Sequence, residues 1–183
     1  MNKRVLLAVL ASLSLVVGAV ATAAGPAAAV QPHDTQSFLV TLYGFPDNSP
    51  PGAGIAFPQI HSQAGGTGTF ADPVTFATDQ NELAPGSIVY YPFLHRYFIM
   101  EDDCVECDQD WEGNGPDGGP NFNHIDLWVG GENGDSNAVI NCEDALTQQG
   151  DVVINPPSNE PVDTTPLFDS NTNTCYDPSS FPG

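Results

Sequence analysis

The chain has 183 residues, with 23 Asp and Glu against 3 Lys and Arg and a formal net charge of −20. So acidic a chain repels phosphate backbones and anionic bilayer surfaces, which argues against nucleic acid and membrane surfaces as partners. Pro and Gly are abundant and the apolar runs are short, so the mature chain reads as one β-rich domain rather than a helical bundle.

In chain order, the first element is an export signal. Lys3 and Arg4 precede an apolar run from Val5 to Val20, and small residues follow at Ala21-Thr22-Ala23-Ala24 and Ala27-Ala28-Ala29. This pattern predicts a signal peptide over residues 1–29, cut after Ala23 or Ala29. An uncleaved anchor is the alternative, but no positive stop-transfer cluster follows the run. Cleavage leaves Arg96 as the only Lys or Arg, and the charge becomes 1 − 23 = −22. No later segment is apolar enough to span a bilayer, so a secreted, extracellular monomer is expected, without membrane contact after cleavage.

Residues 30–154 are read as the folded domain and 155–183 as an extended, Pro-rich C-terminal tail. Strands are expected at 37–44, 74–77, 87–91, 97–101, 124–129 and 151–154, with the third and fourth forming a hairpin around Pro92–Arg96. Residues 45–69 form a long loop with at most one short strand near Ile55-Ala56-Phe57, and loops of this length are often functional. A Gly- and Asp-rich loop is expected over 102–121, and one helical turn at Cys142–Leu146.

Four cysteines, at 104, 107, 142 and 175, allow three connectivities in an exported chain. Cys104–Cys107 with Cys142–Cys175 is the favoured pairing, the second bridge tethering the tail. Zinc at Cys104-Val105-Glu106-Cys107 is the alternative, and it lacks a second ligand pair. The run Asp108-x-Asp110-x-Glu112-Gly113 resembles the start of a calcium loop. Gly119 stands where the closing Glu would be, so a solvated acidic loop is favoured over calcium and no cofactor is expected.

The stretch His124-Ile125-Asp126-Leu127-Trp128 is the richest in chemistry. Strand alternation puts Ile125 and Leu127 on a core face and His124, Asp126 and Trp128 on the other. An indole that stacks on a pyranose beside a carboxylate that exchanges a proton with a glycosidic oxygen makes a sugar site; an ordinary polar outer face is the competing reading.

Three segments carry a resemblance: Thr41-Leu42-Tyr43-Gly44, the run Gly68-Thr69-Phe70-Ala71-Asp72-Pro73-Val74-Thr75-Phe76-Ala77, and His124-Ile125-Asp126-Leu127. Together they resemble the double-psi β-barrel group, which includes expansins, rare-lipoprotein-A-like proteins, lytic transglycosylase catalytic domains and one endoglucanase family. The region from Gly86 to Trp111 is also similar to secreted fungal and actinobacterial proteins. The resemblance implies an all-β fold, a six-stranded double-psi β-barrel with long loops, acting on polysaccharide or peptidoglycan. It also implies that Asp126 is the general acid of a glycan-cleaving enzyme, either a hydrolase or a lytic enzyme. Ile125 stands where the family has Phe, the cysteine pattern differs from plant expansins, and no second carbohydrate-binding domain follows. A hydrolase needs a second carboxylate, for which Asp72 is expected first, then Asp47 and Asp102. His124, Trp128, Tyr43, Asp47 and Asp102 are expected to line the substrate groove. A non-catalytic expansin-like module that binds or loosens the wall, or a secreted inhibitor, is the alternative.

Overall fold

The structure is a computed structural model that describes residues 33–182; the signal peptide expected over 1–29 lies outside them. Strand β1 (Asp34–Tyr43) buries Phe38, Val40 and Leu42 in alternation, the two-residue period of a pleated chain. It is followed by β2 (Val74–Ala77), β3 (Ile88–Tyr91), β4 (Arg96–Asp102), helix α1 (Val105–Glu112), β5 (His124–Trp128), helix α2 (Ser136–Leu146) and β6 (Gln148–Ile154). The six strands close into a barrel in the order β1-β5-β2-β4-β3-β6, which leaves no unpaired sheet edge. Two pairs, β1 with β5 and β2 with β4, are parallel, and the other four are antiparallel.

All six expected strands are present, and the hairpin joins β3 to β4, but β1 starts three residues earlier than expected and β6 also takes in Gln148–Gly150. The expected acidic loop over 102–121 is corrected by α1. Cys104 caps its N-terminus, its Sγ accepting the Cys107 N–H, and Gly113 closes the C-terminus at φ 82°, a left-handed conformation that glycine adopts without cost. The single turn expected at Cys142–Leu146 is the end of the 11-residue α2, capped by the Asp135 side chain on the Ala138 N–H. Val139, Cys142 and Leu146 recur at helical spacing and are the apolar residues α2 buries, together with Glu143. No strand forms near 55–57.

The tail is more structured than an extended strap. Leu167, Phe168 and Tyr176 are buried in the same core cluster as the barrel residues, and Phe168–Asp169 (β7) pairs with Thr174–Cys175 (β8). Tyr90 and Tyr97 donate their hydroxyls to the carbonyls of Pro161 and Pro157, fastening the start of the tail to β3 and β4.

The disulfides are Cys104–Cys107 and Cys142–Cys175. The second closes a separation of 33 residues and so removes loop entropy from the unfolded chain. Replacing both of its cysteines by Ala is expected to lower stability by about 3 kcal/mol in urea denaturation. The same change at Cys104 and Cys107, which are only three residues apart, should cost less.

Candidate functional site

Strand register sets four residues side by side. Thr41 on β1 pairs with Asp126 on β5, Asp126 with Ala77 on β2, and Ala77 with Asp102 on β4. Asp126 and Asp102 are therefore two strand spacings apart, about 10 Å between Cα positions, with a methyl group between them. Ile125 and Leu127 are fully buried, as alternation predicts. The opposite row is largely covered: His124 and Trp128 are buried, and Asp126 is half-buried.

Asp126 ends a chain of side-chain hydrogen bonds. Thr41 donates its hydroxyl to Asp126 Oδ1 at 2.8 Å, Thr41 Oγ1 meets His124 Nε2 at 3.0 Å, and His124 Nδ1 meets Asp110 Oδ2 at 2.8 Å. Asp110 is a fully buried residue of α1, so the helix absent from the sequence reading covers His124 and fixes its ring. His124 is a buried partner of Asp126 rather than a groove-lining residue, which corrects the expectation. Glu82 accepts the His124 N–H at 3.1 Å and the Thr78 hydroxyl.

The carboxyl of Asp126 is pushed up to about 7, first by burial and then by the negative charges of Asp47, Glu106 and Asp102, against the opposing Thr41 hydrogen bond. A second perturbed carboxyl, Glu143 of α2, escaped the sequence reading. It is buried, its Oε1 has no hydrogen-bond partner among the described residues, and it is pushed up to about 8 by burial and by Asp47 and Asp126. A Cβ on Gly44 would stand 2.7 Å from Glu143 Oε1, so this approach requires glycine there. Exposed Asp47 accepts the Gly44 N–H at 2.8 Å, which fixes its carboxylate at the end of β1.

The other expected residues divide between two places. Tyr43 packs edge-on to Trp128 at 5.2 Å and donates its hydroxyl to Asp102 Oδ2 at 2.9 Å. Asp102 Oδ1 accepts the N–H groups of Ala56 and Asp103, so Asp102 braces the long loop instead of offering a free carboxylate. Asp72 is not brought to Asp126. It precedes β2, whose other end, at Ala77, pairs with Asp126; it meets His61 Nε2 at 3.0 Å and accepts the Thr67 N–H. The second carboxylate expected at Asp72 is thus corrected by topology.

His61 sits between Asp72 and the buried Glu101, with Nδ1 at 2.6 Å from Glu101 Oε2. Burial opposes the imidazolium, but its bonds to Asp72 and Glu101 prevail and hold its pKa above the ordinary histidine value. Glu101 is held low despite burial, by the N–H groups of His61, Ile60 and Gln59 and by the His61 ring.

These shifts fix how stability depends on pH. The contribution from His61 is fully present below the ordinary histidine pKa and is lost as pH rises through its raised value. Asp126 and Glu143 bind more protons folded than unfolded, so stability also declines as pH rises from ordinary carboxylate values toward about 7 and about 8. Glu101 and Asp72, both held low, lose their contribution only in stronger acid. The melting temperature is expected to peak near pH 5 and fall toward pH 8, and Glu143→Gln should flatten the alkaline fall.

The acidic run Asp108-x-Asp110-x-Glu112 winds round α1, so it does not form the calcium loop it resembles. Asp110, Asp117 and His124 each bring one ligand atom within 4.8 Å of the others, and two of these residues already bond each other. Among the described residues, no helix is long and apolar enough to cross a membrane.

Fold and site together define a disulfide-linked, six-stranded β-barrel with a cluster of proton-holding carboxyls beside β5. The chain belongs to the family of the DDB_G0273701 N-terminal domain, whose family model matches residues 35–176. It is 42% identical over 137 residues to a Dictyostelium discoideum protein described as "Uncharacterized protein DDB_G0273701/DDB_G0273221". That match covers 74% of this chain and 58% of the relative, so the chain spans little more than half of the relative's length. No solved structure matches the chain.

Proposed function

We propose that the protein is a secreted polysaccharide-cleaving enzyme of double-psi β-barrel type, with Asp126 as its general acid. The observation that carries this reading is Asp126 itself: a half-buried residue whose carboxyl is pushed up to about 7 by burial and by the charges of Asp47, Glu106 and Asp102, with Glu143 nearby. Such a group keeps its proton in mildly acidic surroundings and can deliver it to a glycosidic oxygen. The two parallel strand pairs in a closed six-stranded barrel support the double-psi assignment, and the two disulfides support an oxidising, extracellular setting.

In a hydrolytic cycle Asp126 protonates the leaving oxygen as the glycosidic C–O bond breaks. Asp47, the exposed carboxylate of the cluster, takes a proton from the attacking water. The Thr41 hydroxyl turns with the state of Asp126. While Asp126 is protonated it donates to Thr41, which donates to His124 Nε2, whose Nδ1–H bonds Asp110; once Asp126 is a carboxylate, the Thr41 hydroxyl turns to donate to it. The Thr41 hydroxyl thus bonds Asp126 in both states, and the bond to Asp110 holds the His124 ring throughout.

The test is release of reducing ends or lytic products from a panel of wall polysaccharides and peptidoglycan across pH. Cleavage that falls as pH rises through about 7 is expected. Absence of product from every substrate, with the protein still sedimenting with one polymer, would turn the reading to a binding module.

A further inference from the structure

We propose that Glu143 is a proton-operated pin for the site: with its proton it seats helix α2 against the end of β1, and losing that proton undocks the helix. Its bearing on cleavage rests on the polysaccharide reading of the Asp126 site and concerns the regulation of that site.

The seated carboxyl has no accommodation for a charge. Glu143 is 4% exposed, and its Oε1 is buried with no hydrogen-bond partner among the described residues. It hydrogen-bonds the Asp47 side chain, and two carboxyl groups share such a bond only when one of them carries a proton. The next groups acting on it, Asp126 of β5 and Asp144 of its own helix, are acidic as well. Glu143 makes no ion pair among the described residues. Arg96, the only Lys or Arg there, donates to the Thr165 carbonyl, and the His124 ring is taken up by Asp110 and Thr41. On β1, Tyr43 gives its hydroxyl to Asp102. Gly44 lies so close that a Cβ there would stand 2.7 Å from Oε1, which leaves no space for water to solvate an ionised form in place. A buried carboxylate without a partner is costly, so the group either keeps its proton or leaves.

What leaves with it is α2. The helix buries Val139, Cys142, Glu143 and Leu146 and packs on β1 and β8, so one of its few anchoring side chains is the one that titrates. Gly130 and Gly131, both at positive φ, join it to β5, and Cys142–Cys175 keeps it leashed to the tail when it opens. The turn in which Gly44 N–H holds Asp47 then loses the side chain that backs it.

The direction follows from linkage. Burial and the charges of Asp47 and Asp126 push Glu143 up to about 8, against 4.5 for the ordinary side chain. Docking is therefore at full strength below the ordinary value, weakens about tenfold per pH unit above it, and levels off beyond about 8.

The experiment is amide hydrogen exchange by NMR in the full chain, which needs no substrate. In the wild type the protection factors of Val139, Cys142 and Leu146 are expected to fall about tenfold per pH unit between about pH 6 and about pH 8, while staying below those of the β3–β4 hairpin. Glu143→Gln keeps the shape and a donor for Asp47, so it should remove most of that fall. Level protection in the wild type, an equal fall in the variant, or α2 amides that exchange only together with the hairpin overturns the proposal. If the variant does not fold, carbon-13 titration of the Glu143 carboxyl decides alone: a midpoint well above 4.5 supports the pin, and one at that ordinary value overturns it. The expected exchange in a protein that cleaves no glycan retains the pin and rejects the enzyme; cleavage with level α2 protection does the reverse.

Discussion

Asp126→Asn is expected to reduce glycan cleavage by about 10²–10⁴-fold, the range for loss of a general acid, while the protein stays folded and still binds its polymer. Asn keeps the shape of the carboxyl and can accept the Thr41 hydroxyl at Oδ1, but it has no proton to give. Removing the charge should also relieve Glu143, whose raised pKa Asp126 helps to sustain, so the variant should melt higher than the wild type at pH 8. Cleavage rates and a melting curve on the same preparation check both consequences. Loss of activity with a lowered melting point would instead mean that Asp126 is structural. Unchanged activity would move the acid role to Glu143, the other carboxyl of the cluster that holds its proton at neutral pH.

The barrel was legible because its strands carry their own signal. Phe38, Val40 and Leu42, the hairpin of β3 and β4, and the pair Ile125 and Leu127 are aromatic or branched residues in alternation between turns. Helix α1 was not, because Val105–Glu112 is mostly Asp, Glu and Gln and buries only Cys107 and Asp110. Its caps at Cys104 and Gly113 were the one local cue. For β5 the alternation had the right phase, but period cannot reveal what lies on top of a strand. Asp110 from α1 covers His124, and Tyr43 packs against Trp128. Glu143 joins Asp126 only because α2 folds back on β1 near Gly44, a contact between residues about a hundred positions apart for which no spacing rule exists. Asp72 failed as a partner for a related reason: it flanks the end of β2 opposite the one that pairs with Asp126.

Glu101→Ala is expected to be the most destabilising single substitution, costing about 3–5 kcal/mol, the range for removing one partner of a buried ionic pair. Glu101 is fully buried. Its Oε1 accepts the N–H groups of Gln59, Ile60 and His61, and its Oε2 faces Thr75 Oγ1 and His61 Nδ1. Alanine leaves those buried donors unsatisfied and the His61 ring with only the half-exposed Asp72. Because Glu101 and its neighbour Asp102 hold the segment from Ala56 to His61, the loop should loosen before the barrel does. Limited proteolysis should therefore cut the variant within residues 45–69 under conditions in which the wild type stays intact. Glu101→Gln keeps the volume and one acceptor, so it should cost less and shift His61 titration downward, a change that histidine NMR would read directly. A Glu101→Ala protein as stable as wild type, with an uncut loop, would show that the barrel positions residues 45–69 without this anchor. The lysis of stability in alkali would then rest on Asp126 and Glu143 rather than on His61.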